Sequence, residues 1–353
     1  MTYSMSKLKI ITTILLLVLI ISAMVGMAFF YRRITAMVIT ADDAPFFSYH
    51  YVMISDAPNA QQWLEIWGGA SETAQEFDAY LENWGAYLQQ DFDLYTQITM
   101  AIAANVDGII LSGPNNTEIA ALINEAIEED IPVITMITDV PASNRNAFVS
   151  FNDYAIGRIF GQQLIDYLAN DNMQGNEARE EIVVTVLIDT VGDVGLSGMI
   201  YRGIFEAVRG IDDDRLTINS LEITRAGEFE TEEKIRDLFL NINRRPDILI
   251  ALNATNTIIA MQSLIEYNLV GQINILGTSV DDTILEGVSR GLIYSTVFIN
   301  ERKMGQLALA TLHDNVIYGE STDYETVAIE LITRENLEQF IREQGRLMGE
   351  AND

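Results

Sequence analysis

The sequence predicts an α/β protein of two similar lobes, each built on a doubly wound parallel sheet, behind one apolar N-terminal helix. From residue 48 onward, short β-branched or aliphatic runs alternate with helical stretches, which is typical of parallel sheets with helices on both faces. Runs such as Ile109–Leu111 are apolar throughout, as expected of strands buried on both sides. The alternation then repeats, with about five strands in each half, so the chain divides into two comparable lobes.

The elements follow in order along the chain. Strands are predicted where apolar runs are short and bounded by turn residues; they are Tyr49–Ile54, Gly108–Leu111, Pro132–Met136, Phe148–Phe151, Ile182–Ile188, Leu216–Ile223, Ile248–Ala251, Asn274–Leu276 and Ser295–Phe298. Helices are predicted where apolar residues recur at helical spacing, as in the long amphipathic stretch Gln61–Trp84. The others are Tyr95–Asn105, Asn116–Glu129, Tyr154–Leu168, Ser197–Arg209, Glu230–Asn241, Thr255–Tyr267, Thr283–Arg290, Lys303–Tyr318 and Arg334–Met348.

The N-terminal segment carries one long apolar run, Ile10–Phe30, which follows Lys7 and Lys9 and precedes Arg32 and Arg33. About 20 apolar residues suffice to cross a bilayer as a helix. A cleaved signal peptide is the alternative, but its apolar region usually spans only about 7–15 residues. We therefore expect a single-pass membrane anchor with the body outside the cytoplasm, or a secreted body if the segment is cleaved.

Charge and composition exclude several classes of function. The formal net charge is -30, which argues against nucleic-acid binding because that needs a basic face. The chain has no cysteine, so disulfides and thiolate metal sites are excluded. The two histidines, His50 and His313, lack metal-ligand spacing. No nucleophile elbow or glycine-rich phosphate loop is present, so we predict no catalytic residues, no metal and no cofactor.

Five short motifs occur in the order and spacing of one known family: Asn105–Leu111, Asp130–Thr135, Phe151–Tyr154 followed by Gly157, Tyr201–Phe205 and Leu276–Thr278. With them the chain resembles the type 1 periplasmic solute-binding proteins of the ribose- and galactose-binding group, over about residues 48–345. Repressors of the lactose type share these lobes but carry a DNA-binding headpiece where this chain has the apolar run.

The resemblance implies two lobes joined by a hinge of three crossovers, with a small ligand bound in the cleft between them. By analogy the N-lobe spans 48–151 plus 300–328 and the C-lobe 152–299 plus 329–345, after a cytoplasmic segment (1–9), the anchor (10–30) and a stalk (31–47), and before a tail (346–353). The implied function is capture of a carbohydrate or related solute. The implied partner is an ABC permease or a membrane histidine kinase.

The resemblance also implies which residues line the cleft. Trp63 falls where an aromatic ring stacks on a sugar, although a tryptophan early in a helix is equally well explained as core. The family's hydroxyl-gripping Asp-Arg pair reads Ile137-Thr138 here, and its glutamine near the last crossover reads Ile299, so the cleft offers fewer hydroxyl partners than usual. The predicted ligand-binding residues are Asp56, Asn59, Trp63, Thr138, Asp139, Asn152, Asp153, Asn253, Ser279, Asp281 and Asn300.

Two other classes of function stay open in the sequence. A protein-docking or structural ectodomain would share the fold without a ligand. A carbohydrate-acting enzyme would need two carboxylates at a defined separation, which a sequence alone does not place.

Overall fold

The computed structural model describes residues 47–86, 92–173, 181–189, 194–210, 215–223, 228–320 and 322–350, together with Met24 and Met27. Tyr49–Asp353 forms one compact unit and Met1–Ser48 another. The predicted anchor and stalk lie outside the described residues, apart from Met24, Met27 and Phe47. Within the described ranges, no helix is both long and apolar enough to cross a bilayer.

The described strands form two six-stranded sheets with equivalent strand order. The strands are β1 (Tyr49–Ser55), β2 (Ala79–Trp84), β3 (Gly108–Ser112), β4 (Val133–Met136), β5 (Ala147–Ser150), β6 (Ile182–Asp189), β7 (Leu216–Ile223), β8 (Ile248–Ala251), β9 (Asn274–Thr278), β10 (Ser295–Ile299), β11 (Tyr324–Thr326) and β12 (Ile329–Thr333). The first sheet runs β11-β5-β4-β3-β1-β2 and is parallel throughout. The second runs β12-β10-β9-β8-β6-β7, with only β12 antiparallel to its neighbour.

Helices cover both faces of each sheet. They are α1 (Gln61–Glu76), α2 (Leu94–Ala103), α3 (Thr117–Glu128), α4 (Asp153–Met173), α5 (Val194–Val208), α6 (Glu228–Leu240), α7 (Ala254–Glu266), α8 (Asp282–Arg290), α9 (Glu301–Tyr318) and α10 (Leu337–Glu350). The α/β fold with two parallel-sheet lobes that the sequence predicts is therefore confirmed.

The core follows from the alternation of side chains along each buried strand. In β1, Tyr51 and Met53 pack with α1 and α9 in a cluster that also includes the α4 and α5 face of the second sheet. Val52 and Ile54 point to the opposite face and pack with α2 and α3. A third cluster fills the other face of the second sheet, against α6, α7, α8 and α10.

Each lobe contains one pair of helices that cross backbone to backbone. Gly69 in α1 and Gly305 in α9 each pack on a carbonyl group of the opposite helix. Gly157 in α4 and Gly203 in α5 make the same reciprocal contact in the second lobe. A side chain at any of these four positions would meet backbone atoms, so glycine is what allows the helices to approach so closely.

One predicted helix was wrong in its length. The expected helix Gln61–Trp84 ends at Glu76, and its last third is the edge strand β2. Asp78 takes a left-handed backbone conformation (φ 52°), which breaks the helix before the strand begins. The sequence also left β11 and β12 unpredicted, because these short edge strands are partly exposed and carry no apolar run.

Candidate functional site

The carboxyl ends of the parallel strands mark where a ligand site is expected in an open α/β sheet. All ten described helices follow a strand in chain order, and nine of those strands run parallel in their sheets, so these nine helix N-termini gather at the carboxyl edges. Three segments connect the two sheets: the chain between β5 and α4, between β10 and α9, and between β11 and β12. The polar side chains predicted to bind ligand are concentrated at these helix starts and connections.

Four of the predicted site residues cap helices. The Oδ1 atoms of Asn152, Asn253, Asp281 and Asn300 accept hydrogen bonds from backbone N–H groups at 3.0, 2.7, 2.9 and 2.8 Å, respectively. A capping oxygen of this kind satisfies a helix donor that would otherwise lack a partner. The three asparagines also carry amide donors, whereas Asp281 has only acceptor oxygens.

Two further caps were not predicted from the sequence, Asp93 at the start of α2 and Asn116 at the start of α3. Asn116 begins α3, where its Oδ1 accepts from the backbone N–H groups of Glu118 and Ile119 at 3.0 and 2.9 Å. Its Nδ2 donates to the hydroxyl of Tyr95 at 3.1 Å. The pair Asn115-Asn116 after a buried strand was the available signal, and it resembles the signal that identified Asn253.

The loop after β1 carries two more predicted site residues, Asp56 and Asn59, and both are exposed. The backbone N–H of Asp56 donates to the carbonyl of Ser112 at the end of β3, at 3.2 Å. This bond joins the loops that follow two adjacent strands. Asp153, at the first turn of α4, lies on the connection from β5.

Trp63 packs in the core instead of presenting a ring face. Only 2% of its surface is exposed, and its Nε1 donates to Oδ1 of Asn83 in β2 at 3.0 Å. Of the two interpretations that the sequence left open, the structure favours core packing over stacking on a ligand.

Asp139 is engaged by an arginine of its own loop. Arg145 holds the carboxylate through two hydrogen bonds, from Nε to Oδ1 and from Nη2 to Oδ2 (2.8 Å). The guanidinium also donates to the carbonyl of Asp323 at 3.3 Å and lies 5.7 Å from the ring centroid of Phe148. This bidentate ion pair closes the loop between β4 and β5, and it engages both carboxylate oxygens of a residue predicted to bind the ligand.

Ile137, directly after β4, has the least ordinary backbone of the site. Its φ is 65°, and the N–H of Thr138 donates to the carbonyl of Met136 at 2.7 Å, which is the hydrogen bond of a γ-turn with positive φ. Such a conformation costs about 1–3 kcal/mol and persists only where the surroundings enforce it. They do so here, because the Ile137 N–H donates to the Val149 carbonyl and the Ser150 hydroxyl donates to the Ile137 carbonyl, both at 3.3 Å.

Ser279 occupies the equivalent position in the second lobe, directly after β9. Its φ is 83°, and its N–H donates to the carbonyl of Val297 at 3.0 Å. The hydroxyl of Thr296 donates to the Ser279 carbonyl at 2.6 Å. The two lobes therefore hold a non-glycine residue with positive φ at the same place in their topology. Ile137 supplies an aliphatic side chain there, and Ser279 supplies a hydroxyl.

The connections between the sheets are tied together by short hydrogen-bonded segments. The N–H of Val327 donates to the carbonyl of Ser150 at 3.1 Å, and Ile299 pairs with Ile329 at the ends of β10 and β12. Glu301 begins α9 immediately beyond this region. Burial, and secondarily the nearby Glu65 carboxylate, raise the pKa of Glu301 to about 7.

Two sheets of equivalent strand order are linked by three short connections, and polar helix starts lie at their carboxyl ends. These are the features of the two-lobed α/β binding proteins. The sequence matches the family model described as a periplasmic binding protein domain over residues 51–321. The chain therefore belongs to the periplasmic binding protein family, and the resemblance in the sequence is confirmed. Proteins of this family are binding proteins, in agreement with the expectation that this chain is not an enzyme.

Several solved structures share the fold. GanP, a glucose-galactose binding protein from Geobacillus stearothermophilus, is 22% identical and covers 83% of this chain and 99% of its own, with a TM-score of 0.68. A chain of a XylFII-LytSN complex is 22% identical and covers 82% of this chain and 99% of its own, with a TM-score of 0.65. A solute-binding protein from Burkholderia graminis C4D1M, solved in complex with D-arabinose, is 15% identical and covers 82% of this chain and 97% of its own, with a TM-score of 0.70. No curated protein matches the sequence significantly.

Proposed function

We propose that this protein is an extracytoplasmic solute-binding protein that captures a small carbohydrate or related molecule between its two lobes. The observation that carries the proposal is the pair of equivalent sheets, linked along the described chain by three short connections, whose carboxyl ends bear the capped helix starts. Open α/β sheets bind ligands beyond those ends. The ligand contacts assigned from the sequence stay predictions, with Asn59, Asn152, Asn253, Ser279 and Asn300 as the leading candidates.

Closure of the lobes around the ligand would be a hinge motion. Hinges of this kind consist of a few residues at the ends of elements that absorb the backbone change. The segments at Phe151–Asn152, Asn300 and Val327–Ala328 have this position, each lying between a strand of one sheet and an element of the other lobe.

The names of similar proteins support a carbohydrate ligand. GanP is described as a glucose-galactose binding protein, and the Burkholderia graminis protein is solved with D-arabinose. At these identities the likeness concerns the fold, so we take the chemical class from them and no individual sugar.

We further propose that the apolar run Ile10–Phe30 tethers the body to the membrane and that the closed form is recognised by a membrane partner. An ABC permease and a sensor histidine kinase are the two candidates. The XylFII-LytSN structure supports recognition by a partner, because there a protein of this fold is solved in a complex. Loss of labelled-ligand uptake in a deletion strain would favour the permease. Intact uptake with a lost transcriptional response would favour the kinase.

The binding proposal is tested by thermal unfolding of the full chain in nanodiscs, which avoids sugar-headed detergents. The panel comprises pentoses, hexoses, deoxy sugars, amino sugars, oligosaccharides, nucleosides and polyamines. A ligand present at 100 times its dissociation constant stabilises the folded form by about 2.7 kcal/mol, which raises the melting temperature measurably.

A pair of tryptophan variants locates the site. Asn59→Trp places a bulky ring on the exposed loop after β1 and should abolish the ligand-dependent shift. Gln272→Trp makes the same change in the exposed turn before β9, at the opposite edge of the second sheet, and should leave the shift intact. A well-folded protein that responds to nothing in the panel would contradict the proposal. Equal binding by both variants would contradict the placement of the site.

A further inference from the structure

The carboxyl edges of the sheets carry partly exposed aliphatic side chains among their polar caps. Ile137 follows β4, Leu252 follows β8 and Ile299 ends β10. All three are half-buried and pack against the one hydrophobic cluster that includes residues of both sheets. Aliphatic side chains that border the core and reach the surface at the carboxyl edges would contact a ligand bound there, and these three are called the apolar wall below.

The polar groups nearby are already engaged in the protein. Both oxygens of Asp139 are held by Arg145, and the Oδ1 atoms of Asn253 and Asn300 cap α7 and α9. These acceptors already serve protein donors, so a ligand hydroxyl at this wall meets fewer uncommitted acceptors, and an unpaired buried hydroxyl weakens binding.

Within this wall, Ile137 is held in place by hydrogen bonds of its backbone. Its γ-turn is fixed by hydrogen bonds on both sides of the peptide unit, from its own N–H to Val149 and from the Ser150 hydroxyl to its carbonyl. Glycine or asparagine would adopt its positive φ with less strain. Strained backbone conformations that the surrounding structure enforces cluster at ligand clamps. Here the enforced conformation fixes an aliphatic side chain directly after β4.

We propose that the cleft is specific for a ligand with an apolar edge, such as a deoxy sugar whose methyl group replaces a hydroxymethyl group, and that Ile137 is the residue that sets this preference. The proposal rests on the function proposed above and names the substrate class of the same site. The methyl group of the ligand packs on the apolar wall. Its remaining hydroxyls form hydrogen bonds with asparagine side-chain amides and with the hydroxyls of Ser279 and Thr138.

The test compares sugars that differ only at this position, by calorimetric titration of the full chain in nanodiscs. The matched pairs are L-fucose with L-galactose and L-rhamnose with L-mannose. We expect the deoxy member of at least one pair to bind about tenfold or more tightly, which is the range that one small group contributes in an apolar pocket.

Two variants then assign the preference to a residue. Ile137→Asn introduces a residue that tolerates positive φ and replaces the aliphatic side chain by a polar one. The preference for the deoxy sugar should therefore fall by at least about tenfold. Ile242→Asn makes the same chemical change at an exposed side chain, 78% accessible, in the turn before β8, and should bind like the parent. Melting curves establish that both variants are folded.

The outcomes separate this inference from the function on which it rests. If hydroxylated and deoxy sugars bind equally, or if Ile137→Asn keeps the full preference, the apolar-edge proposal is overturned while sugar binding stands. If no sugar in these pairs or in the wider panel binds, the proposed function itself fails and the specificity fails with it.

Discussion

The close helix crossing of the second lobe gives a prediction in which one substitution has opposite effects at two positions of one helix. Gly203 and Gly198 both lie in α5. A methyl group at Gly203 would lie 3.0 Å from the backbone N of Arg158 and from Cα of Gly157, and closer still to the carbonyl oxygen of Tyr154. A methyl group at Gly198 would meet nothing within 4 Å.

The magnitudes follow from these contacts. Carbon atoms pack best at about 3.5–4.0 Å, so α4 and α5 must separate by about 1 Å to accept Gly203→Ala. The obstacle is backbone, which has no alternative rotamer, and overpacking of this kind costs about 1–3 kcal/mol. Replacing glycine by alanine in a helix returns about 0.5–1 kcal/mol. We expect a net loss of about 1–2 kcal/mol for Gly203→Ala and a gain of up to about 1 kcal/mol for Gly198→Ala.

The assay is thermal and urea unfolding of the full chain in nanodiscs, followed by circular dichroism. In a domain of about 150–250 residues, each kcal/mol moves the melting temperature by about 2–4 °C. Gly203→Ala should therefore melt below the parent and Gly198→Ala at or above it. Equal stability of Gly203→Ala and the parent would refute the reasoning, and so would a comparable loss in Gly198→Ala, because helix propensity is the same at both sites.

Two further predictions concern the pH dependence of stability, and they have opposite signs. The pKa of Glu301 is raised from 4.5 to about 7 by burial and by Glu65, so its folded state binds the proton more tightly. Its contribution to the free energy of unfolding is present below about pH 4.5 and is lost as pH rises towards 7, by as much as about 3 kcal/mol. Glu301→Gln should remove this loss of stability in urea titrations from pH 4 to 8. Burial lowers the pKa of His313, whose Nδ1 lies 2.8 Å from the Tyr51 hydroxyl, so its contribution is present above the ordinary histidine pKa of 6.5 and is lost as pH falls. His313→Gln should flatten the acid side of the same titration, and an unchanged acid limb would contradict this.

The sequence predicted the interior of the fold better than its margins. Buried strands such as β3 and β8 are apolar on both faces, so their composition alone identifies them. The edge strand β2 has only one well-buried face, and its spacing continued the pattern of the preceding helix. The conformation of Asp78 that separates the two elements depends on packing and is not visible in the residue type.

The candidate site divides in the same way. Strand ends and the asparagines after them were predictable, because topology places both at one edge. The partners of those side chains were not, since Asp139 depends on how a loop returns Arg145 to it. Trp63 illustrates the same limit: its position early in α1 suited a stacking role, and only the location of Asn83 on the neighbouring strand shows where its indole N–H is satisfied.

The two lobes repeat one design down to single backbone conformations, and this sharpens the expectation for the ligand. Ile137 and Ser279 share a positive φ, a hydrogen bond from their N–H to the next strand and a carbonyl that accepts from a hydroxyl on that strand. Equivalent backbones with unlike side chains make the first lobe aliphatic and the second lobe polar at this point. Under the proposed function, a ligand bound between them is therefore oriented by chemistry as well as by shape: its apolar edge faces Ile137, and its hydroxyls face Ser279.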